Sequence, residues 1–183
     1  MTTAITPERA STSRASFYRA ARAGNYERIA RGIYITPDAP PADYDLIEAA
    51  TRRADATICL TSALAQHDLI DTIPAQLHIA IPSRSRTPAT AGAIQWHQFD
   101  RATFALGREI IPIEGTDLTI GRYSAERSIA DAFRLRGEIG YEIARDALKE
   151  WLRRGGKPAA LLELAEELPR AKQPMLTALE LLA

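Results

Sequence analysis

Arginine is the residue whose placement carries chemistry in this chain. Arg9, Arg14, Arg19, Arg22, Arg28 and Arg31 stand among the first 36 residues against only Glu8 and Glu27, a local balance of +4. The 183 residues sum to zero net charge, so the remainder carries −4. A guanidinium is always charged and presents a planar fork of N–H donors that matches phosphate oxygens and the major-groove edge of guanine. A basic front end on an acidic body suits one nucleic-acid face and a different partner elsewhere.

The other chemistry-bearing residues point away from catalysis. His67, His78 and His97 lack the paired spacing of zinc sites, and His78 and His97 fall inside apolar strand-like runs, as hydrogen-bonded structural histidines do. Cys59 lies in an apolar run with no basic neighbour, which suits a buried inert thiol. There is no Gly-rich phosphate loop. Asp131 and Glu138 are single acids on one helix, simply paired with Arg127 or Arg134. No catalytic residue, metal site or cofactor is therefore expected. Two further basic groups are candidates for partner contact. Arg84 and Arg86 lie in a Pro- and Ser-rich loop. Arg145, Lys149 and Arg153 form an i, i+4, i+8 line, although Glu142, Asp146 and Glu150 stand three residues before each and are close enough to pair.

The elements that must position the front arginines can be read locally. Ser11, Thr12 and Ser13 offer N-cap oxygens, and Arg14 to Ala23 reads as a helix ended by Gly24-Asn25. At 100° per residue, Phe17, Ala20, Ala21 and Gly24 share one face. Ser16, Arg19 and Arg22 lie opposite. Two strand-like runs follow, Tyr26 to Ile29 and Ile33 to Ile35. Helix, tight stop and hairpin form the back half of a winged helix-turn-helix, with Ser13, Arg14, Ser16, Arg19 and Arg22 on the recognition helix and Arg28 and Arg31 on the wing. A surface helix that merely happens to be rich in arginine is the competing reading, since charge alone discriminates weakly. Thr6-Pro7-Glu8 suggests a short helix before it.

A Pro-rich break from Thr36 to Pro41 marks a module boundary, with residues 1–36 before it and a mixed α/β domain over 43–183 after it. Asp43 to Ala54 reads as helix, Thr57 to Leu60 as strand, and Ser62 as the cap of a helix running to Leu69. Gln76 to Ile81 and Ile94 to Phe99 read as strands around an exposed loop, Ser83 to Gly92. Ile110 to Ile113 and Leu118 to Tyr123 form a hairpin. From the Ser124 cap onward the pattern is helical, with Tyr141 to Arg154, Pro158 to Leu168 and Pro174 to Leu182 as a helical C-terminal tail. The expected class is α+β. Apolar content of 46% and charged content of 25% are those of an ordinary globular chain able to bury a sound core. One cysteine allows no internal disulfide, and no apolar run reaches membrane length, so a cytoplasmic protein is expected.

Several runs together resemble the AbiEi family, the antitoxin half of abortive-infection toxin–antitoxin pairs. They are Ala23-Gly24 with Arg28-Ile29-Ala30-Arg31-Gly32-Ile33-Tyr34, then Cys59-Leu60-Thr61-Ser62-Ala63-Leu64 with His67, then Leu77-His78-Ile79-Ala80-Ile81-Pro82, and last Tyr123-Ser124-Ala125-Glu126-Arg127-Ser128-Ile129-Ala130-Asp131. They stand in family order. The resemblance implies a winged-helix module that represses its own operon by binding promoter DNA, joined to a domain that counteracts a nucleotidyltransferase-like toxin. It places DNA contacts on Ser13 to Arg22 and on Arg28 and Arg31, and makes the Glu126-Arg127…Asp131 run structural. Only ten residues precede Ser11, so the module is expected to be trimmed and to lean on the following domain. The alternatives are a protein-binding antitoxin that ignores DNA and, less favoured, an enzyme acting on nucleic acid or on the toxin.

Overall fold

The computed structural model describes residues 5–8, 10 and 12–182. The N-terminal part holds α1 (Arg14–Arg22), β1 (Glu27–Ala30), β2 (Ile33–Ile35) and α2 (Tyr44–Arg52). A sheet region follows, with β3 (Thr57–Ile58), α3 (Leu60–Gln66), β4 (Leu77–Pro82), β5 (Ile94–Phe99), β6 (Arg108–Pro112) and β7 (Thr119–Tyr123). The chain then runs through α4 (Ala125–Arg134), α5 (Arg136–Ile139), α6 (Tyr141–Arg153), α7 (Pro158–Glu166) and α8 (Lys172–Leu182). This is a mixed α+β fold: helices packed on a sheet, then a helical C-terminal run.

The main sheet has the order β5-β4-β3-β7-β6. The short β3 is its centre, antiparallel to β4 and parallel to β7, while β4 runs parallel to β5 and β6 antiparallel to β7. Side chains alternate across a strand, so the sheet feeds two different cores. Ile58, Ile79 and Ile120 pack with Ile47 and Ala49 of α2 and with Ala30 and Ile33 of the small hairpin. Cys59, Ala80 and Tyr123 pack instead with Leu60, Phe99 and Phe104. A third core lies among the helices, where Leu64, Ile129, Phe133, Leu148, Leu161 and Met175 meet. The β1–β2 hairpin therefore shares a core with α2 and the central sheet.

Four local expectations are corrected. The strand expected over Thr57 to Leu60 stops at Ile58, because Leu60 turns into the left-handed region (φ 48°) and opens α3 at once. Ser62 consequently sits inside that helix. Its hydroxyl accepts the His78 N–H at 2.9 Å and donates to the Gln76 carbonyl at 3.4 Å, bracing α3 against β4. The first hairpin strand is Glu27–Ala30, one residue later than read, since the Tyr26 ring is taken up against Phe17. No helix forms among the described residues around Thr6. Ile5 exchanges both backbone hydrogen bonds with Tyr34 (2.8 and 3.0 Å), which draws the chain into extended pairing, and a turn at Pro7-Glu8 follows. Arg9 and Ser11 lie outside the described residues.

The run after Tyr123 is a framework. Ser124 caps α4, its Oγ accepting the Arg127 N–H at 3.2 Å. The fully buried Arg127 donates through Nε to Asp131 at 2.8 Å and through Nη1 to the carbonyls of Thr103 and Leu106, both at 2.7 Å. Its guanidinium lies over the Tyr123 ring at 4.4 Å. Arg134 reaches the same Asp131 at 2.8 Å. One buried cluster thus ties the loop before β6 to α4. Glu138 makes no ion pair among the described residues.

Candidate nucleic-acid interface

Helix α1 is seated by one side chain. Phe17, 1% exposed, stacks on Tyr26 (centroids 5.0 Å apart) and meets Tyr34 edge-on at 5.1 Å. Aromatic pairs of this geometry contribute beyond the area they bury. They hold the apolar face of the helix against the hairpin. Ser13 is the N-cap: its Oγ accepts the Ser16 N–H at 3.3 Å and donates to Ser16 Oγ at 3.1 Å. On the far side the helix offers Arg19, whose guanidinium donates to Ser16 Oγ at 3.2 Å.

The hairpin turns at Arg31-Gly32, where Gly32 takes a left-handed φ of 77°. Its register slips between Arg28 and Ala30, a bulge that twists the strand locally. All three residues of β2 are buried, Ile33 against the central sheet core and Tyr34 against Phe17. The hairpin is thus clamped from both sides while Arg28 and Arg31 remain exposed.

The predicted arginines fall into two groups. Arg14, Arg28 and Arg31 line one cleft of about 510 Å³ between α1, the hairpin and α2, with Tyr18 and Glu8 on its wall. Arg19 lies with Ser13 and Ser16 along the helix outside it, and Arg22 is exposed at the helix end. Arg14 pairs with Glu8 at 2.7 Å, both groups largely exposed. Hydrogen bonding at its own backbone, then from Arg14, holds the Glu8 carboxyl below its usual range. Arg19, Arg22, Arg28 and Arg31 make no ion pair among the described residues; Arg28 donates only to the Ala30 carbonyl at 3.3 Å.

A fourth cleft arginine, Arg52, carries no signal in the local sequence pattern. It reaches across from the end of α2 and donates to the Arg31 carbonyl at 2.9 Å, fixing the hairpin turn. Its charge is balanced by Glu48 at 3.1 Å. Glu48, 2% exposed, also accepts the backbone N–H groups of Ala91 and Gly92 at 3.0 Å, so one buried carboxylate joins α2, the hairpin and the end of the long loop. Only the fold brings these segments together.

The remaining candidates are dispersed. Arg84 and Arg86 are exposed beyond β4, and the Arg84 backbone N–H donates to Gln98 Oε1 at 3.0 Å. On α6, Arg153 pairs with Glu150 at 2.6 Å, three residues back. Arg145 instead turns forward to Asp146 at 2.8 Å, leaving Glu142 aside. Lys149 makes no ion pair among the described residues and faces a cleft shared with Asp68 to Thr72. Hydrogen bonds from Arg153 and Arg154 pull the Glu150 carboxyl down to about 2.

The histidines and the thiol are engaged internally. His67 Nε2 donates to the Tyr123 carbonyl at 2.8 Å. His78 Nδ1 and His97 Nε2 lie 2.9 Å apart across the β4–β5 pair. Burial, then the neighbouring His97, pulls His78 down to about 4, and burial lowers His97 as well. Burial pushes the Cys59 thiol well up, away from its nucleophilic form. No group of three metal-ligating side chains occurs among the described residues, and no described helix is long and apolar enough to cross a membrane.

No protein-family model matches the chain, and no curated protein matches it. Among solved structures it is similar to the crystal structure of the RV2827C protein from Mycobacterium tuberculosis, with a TM-score of 0.47 and 16% sequence identity over 90% of this chain and 76% of that one.

Proposed function

We propose that this protein is a non-enzymatic antitoxin that binds the operator DNA of its own promoter through a winged-helix module and counteracts a cognate nucleotidyltransferase-like toxin. The DNA half rests chiefly on one observation. Arg19, Arg22, Arg28 and Arg31 stay without ion-pair partners among the described residues, on a helix and hairpin locked together by Phe17, Tyr26 and Tyr34. A rigid element bearing four uncompensated guanidiniums is suited to phosphate neutralisation, with α1 as the groove-directed helix and the hairpin as the wing. The antitoxin half rests on the resemblance to the AbiEi family. The test is a mobility shift on promoter DNA: Arg19→Ala with Arg22→Ala is expected to abolish the shift while the circular dichroism spectrum is retained. Unchanged binding removes the recognition-helix assignment.

A second reading has its own support. Glu8 and Glu48 balance Arg14 and Arg52, removing two of the cleft's cationic charges. That arrangement suits a module that no longer reads DNA, in a protein that neutralises its toxin by contact alone. Co-elution of a co-expressed toxin in gel filtration, with no promoter shift by the wild-type chain, selects this reading.

A further inference from the structure

The end of α4, the short α5, the start of α6, and the turn before α8 with its first turns line an open surface cleft of about 910 Å³. Its wall carries Arg134, Arg136 and Arg170, with Tyr141, Gln173 and Thr177, and no carboxylate stands among the described residues lining it. Arg134 links the cleft to the buried cluster behind it. There Arg127 and Arg134 share the single carboxylate of Asp131, leaving one positive charge uncompensated in the interior. Arg134 Nε is buried without a hydrogen-bond partner, and its guanidinium packs over the Phe99 ring at 5.0 Å. Arg136 is held in place by donating to the Phe133 carbonyl at 2.9 Å. The Tyr141 ring is steadied by edge-on contact with Phe133 (6.1 Å) and remains 39% exposed.

We propose that this cleft binds a nucleoside polyphosphate, its phosphates on Arg134, Arg136 and Arg170, its base against Tyr141, with Gln173 and Thr177 supplying hydrogen bonds. Three guanidiniums in one compact cleft match the concentrated charge of a polyphosphate, and an open aromatic face accepts any base by stacking. The site is independent of the α1 interface.

Isothermal titration of the full chain with ATP and with inorganic tripolyphosphate, at about 0.15 M salt, tests it. Both ligands are expected to bind, and Arg136→Ala with Arg170→Asn is expected to weaken both by at least about tenfold. Asn tolerates the left-handed backbone at position 170 (φ 64°), and both arginines are exposed, so the fold is kept. Tyr141→Ala is expected to weaken ATP alone, whereas Arg28→Ala with Arg31→Ala leaves both ligands unchanged. No binding at millimolar ATP, or equal binding by the Arg136/Arg170 variant, overturns the site. Binding of tripolyphosphate with ATP indifferent to Tyr141→Ala overturns the nucleoside part.

Discussion

Replacing both hairpin arginines, Arg28→Ala with Arg31→Ala, separates the charge the N-terminal module presents outward from the charge it neutralises internally. Arg14 is balanced by Glu8 and Arg52 by Glu48, which leaves Arg19, Arg22, Arg28 and Arg31 as outward charge. If each neutralises one phosphate, the log–log dependence of affinity on salt has a slope of about −3.6 per protomer, or roughly −7 for two protomers on one site. Removing Arg28 and Arg31 halves it, to about −1.8 per protomer. Between about 50 and 200 mM salt the wild-type protomer then loses roughly 150-fold in affinity and the variant only about 12-fold. Fluorescence anisotropy of labelled promoter DNA across that salt range reads both slopes. Glu8→Gln provides the opposite arm: it releases Arg14 and is expected to steepen the slope by about 0.9. An unaltered slope in the double variant, or no steepening in Glu8→Gln, shows that the hairpin and cleft do not meet phosphate.

Three further outcomes follow from the packing. Arg127→Met leaves the Thr103 and Leu106 carbonyls unpaired in the interior and removes one partner of a fully buried ion pair. It is expected to cost about 3–5 kcal/mol in urea unfolding, and a loss under about 1 kcal/mol would contradict the framework role. Phe17→Ala empties the aromatic seat of α1 at a cost of about 3–5 kcal/mol; hydrogen exchange should then show α1 amides opening ahead of the sheet. His78 is held at about 4, below its ordinary value near 6.5, so the unfolded chain takes up the proton first. Its contribution is complete above about pH 6.5 and is lost as pH falls towards 4, on the order of 1–2 kcal/mol once its partial exposure is discounted. His78→Gln should flatten that part of the pH–stability curve, and an unchanged curve would show that the His78–His97 pair does not titrate with folding.

Local chemistry was legible without coordinates wherever one stretch of chain decides it. The Ser124 cap, the Arg127–Asp131 pairing, the α1 helix and the antiparallel β6–β7 hairpin each depend on residues a few positions apart, and spacing alone exposes them. The uneven charge of the chain is likewise a property of the string of residues. What needed the tertiary structure is every feature joining distant segments. Glu48 reaching Gly92, Arg52 closing on Arg31, Ser62 turned from a supposed cap into a brace for His78, and arginines from α4, α5 and the turn before α8 around one cleft leave no periodic trace. Side-chain pattern reports which face of an element is buried, but which faces meet is settled only when the whole chain packs, because those contacts are made between surfaces that no local rule orients relative to one another.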